Sequence, residues 1–267
     1  MSYFKNKTVW ITGASSGIGK ALAIELASRG AHLILSSRKR TALEEVARLI
    51  GQPAGHTQIL PLDLEDHEGL DTIISANQAI LSSVDILINN GGISQRSKVV
   101  DTEFSVYKKL MDVNYLGTVK LSLAVLPYFT QKNAGQFVVV TSMAGKFGVP
   151  VRSGYSASKM ALHGFFDAMR AELYKTKIGV TIIAPGYIKT DISKNALTAT
   201  GDAQGTMDDA QRNGMPLEVM IPKVLRAIAI RQEEVHIGAF KEVKLAGYAS
   251  RLFPRTFKKI IAKAKVT

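Results

Sequence analysis

Tyr155-Ser156-Ala157-Ser158-Lys159 sets a phenol and an ammonium four residues apart, which on a helix places them one turn apart on a single face. A cation held near a phenol favours phenolate, so such a tyrosine exchanges protons closer to neutrality. The spacing also occurs at Tyr3/Lys7 and Tyr128/Lys132, so context must distinguish Tyr155. Ser142 supplies it. This serine follows an apolar run, Gln136 to Val140, and the loop Met143 to Gly148 can carry its hydroxyl back beside the phenol. A hydroxyl, a phenol and an ammonium together suit proton transfer to or from an oxygen.

These groups need a scaffold, and the sequence describes one. Apolar runs at Thr8–Thr12, His32–Ser36, Thr57–Leu60, Asp85–Asn89, Gln136–Val140, Val180–Ile183 and Glu234–Ile237 are separated by helical stretches such as Ile18–Arg29, Thr41–Ile50 and His67–Leu81. Continuous rather than alternating apolar runs predict strands covered on both faces. Strands separated by helices predict right-handed crossovers and a parallel sheet. The expected fold is therefore α/β, a Rossmann-type doubly wound parallel sheet in a single domain, with its ligand site at the carboxyl ends of the strands.

The first strand runs into Thr12-Gly13-Ala14-Ser15-Ser16-Gly17-Ile18-Gly19. Gly13 suits a tight turn, Gly17 a close approach to a pyrophosphate, and Gly19 close packing of the next helix, whose N-terminal N–H groups would meet the phosphates. Three glycines also suit a plain turn with one helix-packing glycine. After the second strand, Ser36-Ser37-Arg38-Lys39-Arg40 contains no carboxylate to accept ribose hydroxyls. Three cations with hydroxyls match a 2′-phosphate, so NADP is the expected cofactor, although a basic run can also be a solvated turn.

Taken in order, Thr12-Gly13-x3-Gly17-x-Gly19, Asn89-Asn90-Gly91-Gly92, Asn114, Ser142, Tyr155-x3-Lys159 and Pro185-Gly186 resemble the short-chain dehydrogenase/reductase family over about residues 6 to 190. Gly91 departs from the usual alanine. The resemblance implies Tyr155 as general acid/base, Lys159 on the nicotinamide ribose, Ser142 on the substrate carbonyl, and Asn114 holding a relay water. It further implies cofactor contacts at Ser15, Ser16, Ile18, Ser37, Arg38, Asp63, Leu64, Asn90, Gly91, Pro185, Gly186, Ile188 and Thr190. Asn114 could instead brace a helix kink, and Asp63 could cap a helix. A dimer or tetramer is implied, with helices near Asn114 and Tyr155 at the interface.

The catalytic domain is expected over residues 1–250. Its polar, glycine-containing stretch at about 187–221 would form a substrate lid. Gly148, Val149, Val151 and Tyr187 are expected to line an apolar pocket suited to a hydrophobic carbonyl or alcohol. Residues 251–267 would form a basic amphipathic helix, with Phe253, Phe257, Ile260, Ile261 and Ala264 on one stripe and Pro254 at its start. That stripe could pack on the body, or make peripheral contact with an anionic membrane.

Of the net charge of +12, +7 falls within residues 241–267, leaving a mildly basic body. A nucleic-acid face would spread its charge more widely, so no such partner is expected. With zero Cys there is no disulfide scaffold, thiolate metal site or cysteine nucleophile. No pair among His32, His56, His67, His163 and His236 has zinc-ligand spacing, so no metal is expected. No apolar run is long enough to span a bilayer and the N-terminus lacks a signal-like stretch, which makes a cytoplasmic location the expectation. Two rivals follow: a catalytically silent NADP(H) sensor, and a methyltransferase. The first would usually lack Tyr155 or Lys159; the second would want an acid where Ser37-Arg38 stands.

Overall fold

The computed structural model describes residues 3–51, 53, 55–238, 246 and 249–263. Seven strands, β1 (Thr8–Thr12), β2 (His32–Ser36), β3 (Thr57–Ile59), β4 (Ile86–Asn89), β5 (Gly135–Val140), β6 (Ile178–Pro185) and β7 (Glu234–Ile237), form one sheet in the order β3-β2-β1-β4-β5-β6-β7. Every pairing is parallel. The order reverses between β1 and β4, which opens a crevice at their carboxyl ends.

Alternation along the strands builds a core on each face. Val9 and Ile11 face one layer with α1 (Gly17–Ser28), α2 (Arg40–Ile50) and α9 (Leu217–Ala229), through Leu22, Leu26, Val224 and Ile228. Trp10 faces the other, with α3 (His67–Ala76), α4 (Gln78–Ser83), α6 (Gly117–Lys132) and α7 (Ser153–Glu172), through Leu121, Phe129 and Phe166. Trp10 donates its indole N–H to Ser36 Oγ at 2.8 Å, and Ser36 donates to Leu60 O at 2.6 Å, so the polar tip is satisfied inside the core.

Two helical stretches depart from the expected pattern. The segment expected as one helix over His67–Leu81 breaks at Asn77, whose side-chain amide donates to Ile73 O at 2.8 Å. Between α5 (Phe104–Met111) and α6 the chain passes through a π turn, Asp112–Leu116, which holds Asn114. The expected lid includes a short helix, α8 (Asp209–Arg212), and the start of α9. Near the C-terminus, α10 (Pro254–Ala262) begins with its proline in the first turn, as expected. Ala264 lies outside the described residues.

Candidate active site

The carboxyl ends of the strands open into a cavity of about 890 Å³. At one end stands the glycine loop. Gly13 has φ +64° and Gly17 φ +52°, conformations that favour glycine. A methyl group on Gly13 would lie 2.9 Å from Gly91 Cα, so the loop packs directly on the segment after β4. Gly19 sits against the Gly13 carbonyl and away from the cavity, as a helix-packing glycine should. Ser15, Ser16, Gly17 and Ile18 face the cavity, and Ser16 caps α1 without a side-chain hydrogen bond.

Beyond β2, Ser37, Arg38 and Lys39 line the same cavity. Ser37 Oγ is buried and has no hydrogen-bond partner. A buried orphan hydroxyl calls for a ligand atom. With two cations beside it and uncapped helix N–H groups opposite, this end fits a phosphate-bearing nucleotide.

Asp63, Leu64, Asn90 and Gly91 form the adjoining wall. Asp63 Oδ1 accepts from Glu65 N at 3.0 Å, which shapes a turn rather than a helix cap. Asn90 uses its amide inwardly, donating to Thr12 O at 3.0 Å and Gly13 O at 3.3 Å, and so braces the glycine loop. Gly91 has a local reason: a methyl there would lie 2.7 Å from Leu64 Cδ1.

Ser142 follows β5, where its Oγ accepts from Ala144 N at 3.1 Å and shares a hydrogen bond with the Tyr155 hydroxyl. Burial pushes the Tyr155 phenol up; the Ser142 hydrogen bond and the charges of Arg152 and Arg96 oppose this. Lys159 is buried one turn on, and its Nζ donates to Val140 O at 2.9 Å. Burial brings its pKa down to about 8. Ser142, Tyr155 and Lys159 all line the cavity.

Asn114 does not. It lies behind Gly92, donating to Ile93 O at 3.0 Å and Ser158 Oγ at 2.9 Å and accepting from Ile93 N at 2.8 Å. It thereby ties the π turn to α7 and to the segment after β4. Pro185, Gly186, Ile188 and Thr190 form the wall between β6 and the lid. The Thr190 methyl faces Gly17, so the lid starts opposite the phosphate end.

Val149 and Tyr187 line the substrate end as expected, whereas Gly148 and Val151 do not. Arg96 and Arg152 also stand in this wall, so the pocket is not apolar throughout. Both pair with Asp208 of the lid, at 2.6 and 3.2 Å. Sequence reasoning missed these three residues, although Arg152 lies one turn before Tyr155 and signals an inward-facing cation. Burial lowers the pKa of His163 to about 4, and both its ring nitrogens are unpartnered; it is a packing residue. Among the described residues no cluster of His and acidic groups could hold a metal.

At the cavity mouth, Ile261 of α10 and Ala246 contribute to the wall, and Phe257 meets Phe147 edge-on with ring centroids 4.7 Å apart. Part of the C-terminal stripe therefore packs on the body. No described helix is long and apolar enough to cross a membrane.

Comparison with known proteins bears on the family and the fold. The family model described as short chain dehydrogenase matches residues 7–200. The chain is 39% identical over 264 residues to a Drosophila melanogaster protein named dehydrogenase/reductase SDR family protein 7-like, covering 97% of this chain and 81% of that one. It is also 39% identical over 271 residues to Xenopus laevis dehydrogenase/reductase SDR family member 7B, covering 99% and 84%. Among solved structures, a short-chain dehydrogenase/reductase from Burkholderia phymatum in complex with NAD superposes with a TM-score of 0.81 at 22% identity, covering 94% of this chain and 96% of that one. A Burkholderia cenocepacia short-chain dehydrogenase in complex with NADP gives 0.78 at 22%, covering 99% and 100%. The chain belongs to the short-chain dehydrogenase/reductase family.

Proposed function

We propose that this chain is an NADP(H)-dependent oxidoreductase that interconverts a carbonyl and a secondary alcohol, with Tyr155 as the general acid and base. The observation that carries this reading is the convergence of Ser142, Tyr155 and Lys159 on one cavity wall, continuous with Gly13–Ile18 and Ser37-Arg38. When bound, the nicotinamide cofactor supplies or accepts the hydride.

The chain's own residues do the rest. Ser37, Arg38 and the N-terminal amides of α1 hold the phosphates. Gly91, Asp63 and Leu64 bound the adenine side, and Ile188 and Thr190 hold the nicotinamide end. Ser142 donates to the substrate oxygen, and Tyr155 delivers a proton to it as negative charge develops there. Lys159 binds the ribose. Val149, Phe147 and Tyr187 offer an apolar surface to a hydrophobic substrate body. The exposed Leu123 of α6 and Met160 of α7, with Leu116 at the end of the π turn, lie on the segments that would join two or four copies.

The test is oxidation of NADPH by purified protein against a panel of hydrophobic ketones, followed at the reduced-nicotinamide absorbance. Turnover is expected. Tight NADPH binding without turnover across the panel would leave the sensor reading.

A further inference from the structure

We propose that Arg96 and Arg152, joined through Asp208 of the lid, are positioning residues that set the proton affinity of Tyr155. The proposal rests on Tyr155 being the proton-transferring group, as argued above.

Three segments meet at this point. The segment after β4 is stapled to the start of α7. Gln95 Oε1 accepts from Gly154 N at 2.8 Å and Tyr155 N at 3.3 Å, and Ser97 N donates to Val151 O at 3.0 Å. The same segment pairs with the lid: Arg96 N donates to Leu197 O, and Leu197 N to Ser94 O, each at 2.8 Å. Arg96 is then fixed on every side. Its Nη1 donates to Gln95 O at 2.6 Å and Ser94 Oγ at 2.9 Å, and its Nε to Asp208 Oδ2 at 2.7 Å. Arg152 Nη2 donates to the same Oδ2 at 3.2 Å, and its Nη1 to the Tyr187 hydroxyl at 3.2 Å. Gln204 donates to Asp208 Oδ1 at 3.0 Å.

The result is two buried guanidiniums on one carboxylate oxygen, both in the cavity wall that carries the phenol. Arg152 caps α7 three residues before Tyr155, and Arg96 follows Gln95, which accepts from the Tyr155 amide. Both cations therefore stand on the phenol's side of the site and favour phenolate, the more so in a low local dielectric. Other charges near Tyr155 are differently engaged. Lys159 donates to Val140 O, and Asp112 of the π turn is paired with Lys108 at 2.6 Å. The Tyr107 hydroxyl of α5 is hydrogen-bonded to Ser153. Asp191 of the lid also lines the cavity, and its carbonyl accepts from Asn195 N at 3.0 Å. The resemblance gives the electrostatic duty to Lys159; here the arginine pair shares it. Because Asp208 belongs to the lid, docking of the lid and the acidity of Tyr155 are linked.

The linkage predicts shifts of opposite sign. In the reductive direction Tyr155 must be protonated, so kcat/KM falls on the alkaline side as it ionises. In Arg152→Met that limb should move up by about one pH unit. In Asp208→Asn, which removes the compensating anion and keeps the shape, it should move down by a similar amount. Arg152→Lys should restore most of the wild-type position. A limb that stays fixed in the charge-changing variants, or moves the same way in both, overturns the proposal. If Arg152→Met fails to fold, Asp208→Asn alone must still move the limb down. Should no substrate be turned over, the phenolate absorbance of each folded variant minus its Tyr155→Phe counterpart, titrated with pH, tests the same signs without activity.

Discussion

Lys159 Nζ lies 2.9 Å from the carbonyl oxygen of Val140, the last residue of β5, so α7 and the strand leading to Ser142 are fastened through a buried ammonium. The contact fixes the spacing between the serine and the phenol from below, while Gly145 packs against the Lys159 backbone, where a methyl group would lie 3.0 Å from its carbonyl oxygen. Ser142 and Lys159 are thus each held by a main-chain group, Ala144 N and Val140 O, while the Tyr155 amide is held by the Gln95 side chain.

Replacing Tyr155 with Phe keeps the ring in its buried seat and removes only the proton donor. Turnover is expected to fall by about 10²–10⁴-fold, with NADPH affinity changed little. Steady-state kinetics and fluorescence titration of NADPH check both halves; equal losses in binding and turnover would mean that the ring, not the proton, matters.

Arg38→Asp places a carboxylate beside the orphan Ser37 hydroxyl. A lost charge-assisted hydrogen bond is worth roughly 1.5–3 kcal/mol, or about 10–100-fold. The ratio of kcat/KM for NADPH over NADH should drop by that factor. An unchanged ratio would refute the assignment of the 2′-phosphate to this turn.

His163 is buried and neutral, with a pKa held down at about 4, first by burial and then by the nearby Lys146 charge. Its unfolded value is near 6.5. The unfolded chain therefore binds more protons between these values, and stability contributed here is lost as pH falls from about 6.5 to 4. Denaturant midpoints of the wild type should decline over that window more steeply than those of His163→Leu. Parallel declines would show that another group controls acid stability.

On α10 and the residues just before it, Leu252, Phe253 and Ile260 are 69%, 66% and 62% exposed, in a stretch that also holds Arg251, Arg255, Lys258 and Lys259. Such a combination suits an anionic bilayer surface. Pelleting with phosphatidylserine vesicles is expected for the full chain and should drop several-fold when these three apolar residues become serine. Equal pelleting of both proteins would remove the membrane from consideration.

The sheet was legible because each strand is a short apolar run bounded by turn residues: Thr8–Thr12, His32–Ser36 and Glu234–Ile237 match to the residue. The breaks were less legible. Asn77 ends α3 through a local amide–carbonyl bond, and the π turn at Asn114 leaves no mark in hydrophobic spacing. At the site, motifs of near neighbours such as Gly13–Gly19 and Tyr155–Lys159 could be read in one dimension. The Arg96–Asp208 pair joins positions 112 residues apart, and only folding brings a lid carboxylate to a guanidinium beside the phenol.

With Phe257 seated on Phe147 and Ile261 facing inward, the last described helix supplies part of the cavity wall. The shape of the chamber is therefore set partly by a segment that follows all seven strands. Divergence in that segment alone could retune which molecules are admitted, with the phenol and its neighbours left untouched.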